Sequence, residues 1–144
     1  MILPTIGASF SVVCFREGET DYRMRLWDTA GQEKYRGLLP ICTRRADVLL
    51  MAVNLSRDDW LGALGEDIGA FTRGGEGRKS LVLVGTKTDL LEPETRTRRE
   101  AELEAFAQSI GAASFAVSAM RGTGVQALSD FLRAEAVAVC GMRG

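Results

Sequence analysis

The sequence predicts an α/β fold, a mixed and mostly parallel sheet with flanking helices, and three observations carry that prediction. Ala8 to Arg16 and Thr20 to Asp28 alternate aromatic or β-branched residues with polar ones at period two, as a half-buried hairpin does. Asp47 to Val53 and Ser80 to Gly85 are short and continuously apolar, the pattern of parallel strands covered on both faces. Apolar residues at helical spacing follow each of these runs.

At 144 residues, 46% hydrophobic and 26% charged, the chain is long enough for one domain with its own core, and its composition is ordinary for a globular protein. A formal net charge of −1 gives no basis for a nucleic acid or an anionic membrane as partner. On this reading the arginines from Arg96 to Arg99 are a solvated helix start. Cys14, Cys42 and Cys140 stand far apart in a chain without histidine, so metal-ligand spacing is absent and the thiols read as reduced. No apolar run approaches the roughly 18 residues of a membrane span, and the basic opening of a signal peptide is missing. The expected location is cytoplasmic.

Taken in order, Glu17-Gly18-Glu19 is the turn of the hairpin. Its first strand puts Phe10, Val12 and Cys14 on one face, and its second sets Tyr22, Met24 and Leu26 against Arg23, Arg25 and Trp27. After Asp47–Val53, which reads as a central strand, Ser56 and Asp59 are placed to cap a helix with Trp60, Leu64, Ile68 and Phe71 as its inward stripe. Gly62, Gly65 and Gly69 oppose that helix by roughly 0.5–1 kcal/mol each, so tertiary packing has to hold it. The stretch from Arg73 to Lys79 is a surface loop. Thr97 and Glu100 form a capping box for a helix with Leu103, Phe106, Ala107 and Ile110 on its apolar face, ended by Gly111. A strand, Ala113–Val117, follows. Thr123 and Gln126 then cap a last helix with Val125, Leu128 and Leu132 inward.

Three motifs lie on this frame. The first is Trp27-Asp28-Thr29-Ala30-Gly31-Gln32-Glu33. An aspartate at a strand's end can hold a metal ion, and a glycine three residues on lets a backbone N–H approach a phosphate. A polar turn capping a helix would account for Asp-x-x-Gly alone; the full run is far more specific. The second is Thr86-Lys87-Thr88-Asp89-Leu90, at the carboxyl end of an apolar strand, where open α/β sheets bind ligands. A carboxylate there can accept from both the ring N–H and the amino group of guanine, a pattern adenine cannot offer. Lys-x-Asp by itself is equally a solvated loop. The third, Ser118-Ala119-Met120, counts only through its order and position.

Together these motifs closely resemble those of Ras-superfamily small GTPases, and Pro4-Thr5-Ile6-Gly7-Ala8-Ser9-Phe10 is similar to the switch I tail of the Rab branch. The interval from Thr5 to Asp28 matches the family's usual separation. The resemblance implies the small-GTPase (P-loop NTPase) fold over residues 1–144 as a single domain, with Mg2+ and GTP or GDP as cofactors. It implies that Thr5 and Asp28 hold magnesium, Gly31 senses the terminal phosphate and Gln32 aligns the hydrolytic water. Thr86, Lys87, Asp89, Ser118, Ala119 and Met120 would surround guanine. Thr86 replaces the commoner asparagine, and Met120 replaces a lysine whose neighbouring backbone contact, from Ala119, survives. Effector and exchange-factor proteins would read the switch and interswitch surface, with Ile6, Phe10, Trp27 and Cys42 at effector positions, Cys42 standing where a tyrosine is usual. The implied process is vesicle trafficking, with a resemblance to endosomal Rabs in the Ile6–Phe10 run.

The sequence also departs from the family. It contains no Gly-x-x-x-x-Gly-Lys-Ser/Thr, so it reads as lacking the first strand, P-loop and first helix, that is, as N-terminally incomplete. Losing four or five charge-assisted bonds amounts nominally to about 6–15 kcal/mol, roughly four or more decades of affinity. Three readings stay open: a Rab-like GTPase, a non-enzymatic GTPase-like interaction module that binds no nucleotide, or a truncated fragment. The ending Val139-Cys140-Gly141-Met142-Arg143-Gly144 carries no prenylation motif, which leaves membrane anchoring unsupported.

Overall fold

In a computed structural model, which describes residues 2–3, 8–29, 46–72 and 80–143, the alternating stretches pair over their whole length. The strands are β1 (Ile2–Leu3), β2 (Ala8–Glu17) and β3 (Thr20–Thr29), antiparallel in the order β1-β2-β3, with β2 and β3 in register from Ala8↔Thr29 to Glu17↔Thr20. Gly18 turns the hairpin at φ +62, a left-handed value that a two-residue turn requires and that glycine adopts without a Cβ penalty. The register joins the two sequence faces into one: Val12 stands opposite Arg25, and Cys14 opposite Arg23. Phe15 and Tyr22 occupy the other face, their rings stacked with centroids 5.2 Å apart, and the Arg133 guanidinium lies 5.5 Å over Phe15.

The apolar runs form β4 (Val48–Asn54) and β5 (Ser80–Thr86), which with β6 (Ala113–Ala116) make a parallel sheet in the order β4-β5-β6. Three helices complete the described chain: α1 (Trp60–Thr72), α2 (Pro93–Ser109) and α3 (Val125–Arg143). On one face of the parallel sheet Met51, Val53, Leu55 and Leu83 pack with Trp60 and Leu64 of α1 and Leu103 and Ala107 of α2. On the other, Val82, Val84 and Val117 pack with Leu128 and Phe131 at the start of α3. The α/β class with a parallel sheet and flanking helices is thereby realised. The chain divides into two compact units, Met1–Ala46 with Leu132–Gly144 and Asp47–Phe131, each described here by itself.

Several local expectations are corrected. Among the described residues β4 stands at the edge of its three-stranded sheet, where the sequence suggested a central strand, and Leu50 is 42% exposed although its register partner Val82 is fully buried. Asp59 does stand at the start of α1, its carbonyl accepting from Ala63 N–H at 3.0 Å, but its side chain and that of Ser56 bond elsewhere. The Ser56 hydroxyl and amide both donate to Asn54 Oδ1, and Asp59 pairs with Arg57 at 2.8 Å. Helix α2 starts earlier than the Thr97–Glu100 box, at Pro93, whose fixed φ and missing N–H suit a first helical position. Thr97 instead donates its hydroxyl to the Pro93 carbonyl. The end of α2 follows expectation: Gly111 at φ +71 allows Ala112 N–H to reach the Ala107 carbonyl and Gly111 N–H the Gln108 carbonyl. Ile110, at the helix boundary, is 40% exposed, and Val125, in the first turn of α3, is 42% exposed. The first α3 carbonyl to accept is that of Gly124, from Leu128, so Gly124 rather than Thr123 sits at the helix start. Phe71 and the 73–79 loop lie outside what is described of side chains and backbone respectively.

Candidate functional site

The carboxyl end of β5 builds the site. Gly85 admits no side chain, since a Cβ there would lie 2.5 Å from Leu55 Cδ1 and 2.9 Å from Leu103 Cδ2. Close packing of Leu55, together with Leu103 of α2, on the strand is what excludes it. Thr86 turns its hydroxyl back to the Val53 carbonyl at 3.3 Å, tying β5 to β4 as the sheet ends. Lys87 then takes a left-handed conformation (φ 60, ψ 37), rare for a residue with a Cβ and worth roughly 1–2 kcal/mol of strain. It reverses the chain into a single 3-10 turn, Thr88–Leu90, closed by bonds from Leu90 N–H to the Lys87 carbonyl and Leu91 N–H to the Thr88 carbonyl. The turn leaves the Lys87 side chain exposed and buries Thr88 at 3% exposure.

The loop after β6 docks against this turn. Val117 N–H donates to the Gly85 carbonyl at 2.7 Å, and Thr88 N–H donates to the Val117 carbonyl at 3.4 Å. Ser118, 1% exposed, is the joint: its hydroxyl donates to Asp89 Oδ1 at 2.9 Å and accepts from Arg121 N–H at 3.2 Å. Its backbone N–H bonds the Thr123 carbonyl at 3.0 Å and closes the loop. Gly124, at φ +75, makes that closure possible, because a Cβ would overlap the Ala116 carbonyl oxygen.

A half-buried Asp89 carboxylate results, fixed through one oxygen, with Oδ2 lacking a partner among the described residues. Beside it in the loop, the exposed Ala119 amide has no acceptor among the described residues. A fixed carboxylate and a free N–H together suit a planar amide that presents N–H donors and a carbonyl acceptor. Met120 (85% exposed) and Leu90 (63% exposed) add apolar surface.

Of the sequence-predicted residues, the structure thus brings together Thr86, Lys87 and Asp89 with Ser118, Ala119 and Met120. In the other unit Phe10 stands opposite Trp27, and Asp28 opposite Ser9. Thr5, Ile6, Gly31, Gln32 and Cys42 lie outside the described residues.

Arg99 corrects the reading of Arg96–Arg99 as a solvated face. Its side chain is 13% exposed, and its guanidinium donates to the carbonyls of Leu55 (2.6 Å) and Arg57 (3.2 Å) and to Asp58 (3.0 Å), fastening α2 to the β4–α1 loop. Arg99 stands four residues before Leu103, which stands four before Ala107, so it continues the buried row. That spacing was the available signal. For Gly124 the signal was weaker, a glycine directly before a helical pattern.

The Ras family model matches residues 1–136 of the chain. The chain belongs to the Ras family. Its relatives place it among the Rab-like members: human Ras-related protein Rab-17 is 33% identical over 116 residues, covering 76% of this chain and 52% of that protein. Mouse Ras-related protein Rab-36 is 34% identical over 135 residues, covering 93% of this chain and 50% of that protein. Human Ras-related protein Rab-22A is 27% identical over 127 residues, 88% of this chain and 64% of that protein. The chain therefore spans about half to two thirds of the length of these curated relatives. No described helix is long and apolar enough to cross a membrane.

Proposed function

We propose that residues 1–144 act as one domain of a Rab-like, guanine-nucleotide-dependent switch in vesicle trafficking, in which Asp89 selects the base. The observation that carries this reading is the Asp89 carboxylate held by buried Ser118 at the carboxyl end of β5. Asp89 would accept from the ring N–H and amino group of guanine, Ala119 N–H would donate to its carbonyl, and the Lys87 stem would lie along the ring. Thr5 and Asp28 are oxygen donors of the kind Mg2+ prefers, and would hold it. Bound there, magnesium would neutralise developing charge on the phosphates. Gly31 N–H would meet the terminal phosphate and Gln32 would orient the water. Effectors and exchange factors would read the hairpin and switches, including Ile6, Phe10, Trp27 and Cys42, at a cytoplasmic, endosomal membrane surface.

A second reading is a non-enzymatic interaction module that binds no nucleotide. Denaturing the purified protein and assaying the supernatant separates the two. Stoichiometric GDP is expected for the switch, and Asp89→Asn should lower guanine affinity by about 10–150-fold, the loss of one charge-assisted bond. An empty supernatant with a cooperative melt would establish the module instead.

A further inference from the structure

The hairpin's outer face holds two cations that the fold does not use. By register this face carries Val12 opposite Arg25, Cys14 opposite Arg23 and Arg16 opposite Asp21. Arg16 is answered by Asp21 at 3.8 Å. Arg23 and Arg25 are exposed, and neither side chain has an ion pair or hydrogen bond among the described residues. Directly opposite Arg25 stands Val12, an apolar side chain left 38% exposed. The opposite face of the same hairpin is already engaged, with Phe15 buried under Arg133. The open side is therefore the one carrying the arginines.

We propose that this face docks an acidic segment of a partner protein, with two carboxylates about 7 Å apart, the spacing of alternate residues along a strand, meeting Arg25 and Arg23 while an apolar residue covers Val12. The inference deepens the reading of the hairpin as the partner-binding surface and rests on it. Guanidinium groups bind carboxylates bidentately, so two of them fix register as well as attraction. Charge decides the partner class. The hairpin tip carries Glu17, Glu19 and Asp21, and a flat anionic bilayer or a polyanion laid on this face would meet those acids. A short acidic segment can stop before the tip. Because the strands pair without bulges, the sheet fixes the backbone spacing of the two arginines, and only their side chains have to order on binding.

The test pans a random 12-residue peptide display library on the full chain and on Arg23→Glu/Arg25→Glu, with Arg23→Gln/Arg25→Gln as a milder second variant; both variants are checked for a cooperative melt. Peptides selected by the parent chain are expected to carry paired Asp or Glu beside an apolar residue. They should lose at least ~10-fold affinity on the glutamine variant, weaken as salt rises, and regain binding to the glutamate variant when their acids are changed to Lys. Selected peptides without acids, or insensitive to both variants, would overturn the acidic-partner inference while leaving the hairpin a partner surface. Recovery of no hairpin-dependent peptide would overturn both. Arginine-dependent binding to phosphatidylserine vesicles, with no peptide dependence, would overturn the proposal in favour of a lipid. GDP release is measured in parallel, so failure of the nucleotide reading is seen separately.

Discussion

The parallel sheet and the hairpin use similar residues to opposite ends. In the β4-β5-β6 sheet, Val82 and Leu83 are neighbours in sequence, point to opposite faces, and are both fully buried, since α1 and α2 cover one side and α3 the other. In the hairpin Phe15 is buried on one face, whereas Val12 on the other is 38% exposed. A sheet covered on two sides can hold a loop rigidly at its end, as the Asp89–Ser118 pair requires. A sheet covered on one side keeps a surface free for partners. The Asp89–Ser118 loops and the Arg23–Arg25 face thus sit on differently built supports.

Core truncation should expose this difference most strongly. Leu83→Ala removes a side chain packed by both α1 and α2 and is expected to cost roughly 3–5 kcal/mol in chemical denaturation, whereas Val12→Ala should stay within about 0.5 kcal/mol. Equal effects would show the two sheets to be equally covered. Next comes Gly124→Ala, which meets both a left-handed φ and the Ala116 carbonyl. A loss of about 2–4 kcal/mol is expected, and amide exchange should quicken around Ser118 beyond the global change. Arg99→Ala leaves the Leu55 and Arg57 carbonyls without their donor and should cost about 1–3 kcal/mol, with Arg99→Lys recovering part of it. No change in the urea midpoint would make Arg99 the solvated residue it resembles in sequence. Smallest and opposite in sign, Gly62→Ala or Gly65→Ala should raise stability by roughly 0.5–1 kcal/mol, because each lies in α1 with open space where the Cβ would go.

Much of this was legible beforehand. Period-two alternation and the Gly18 turn located the hairpin to within a residue or two, and the Thr86–Asp89 and Ser118–Met120 segments were recognised as partners before any contact between them was known. Capping was less legible. Ser56, Asp59 and Thr97 have the right side chains at plausible positions, yet Asn54, Arg57 and the Pro93 carbonyl take them, since a short polar side chain bonds to whichever group lies nearest.

By itself the sequence determined the strand and helix pattern, the family, and which residues would gather at the end of β5. These follow from local periodicity and short motifs, which need no knowledge of what packs on what. Tertiary structure alone decided that β4 lies at the edge of the described parallel sheet, that Arg99 is buried against two carbonyls, and that Ser118 fixes Asp89. It also decided that the face with Arg23 and Arg25 is the one that carries Val12. Each of these depends on groups distant in sequence meeting in space, where burial and strand register select among side chains that look alike in the chain.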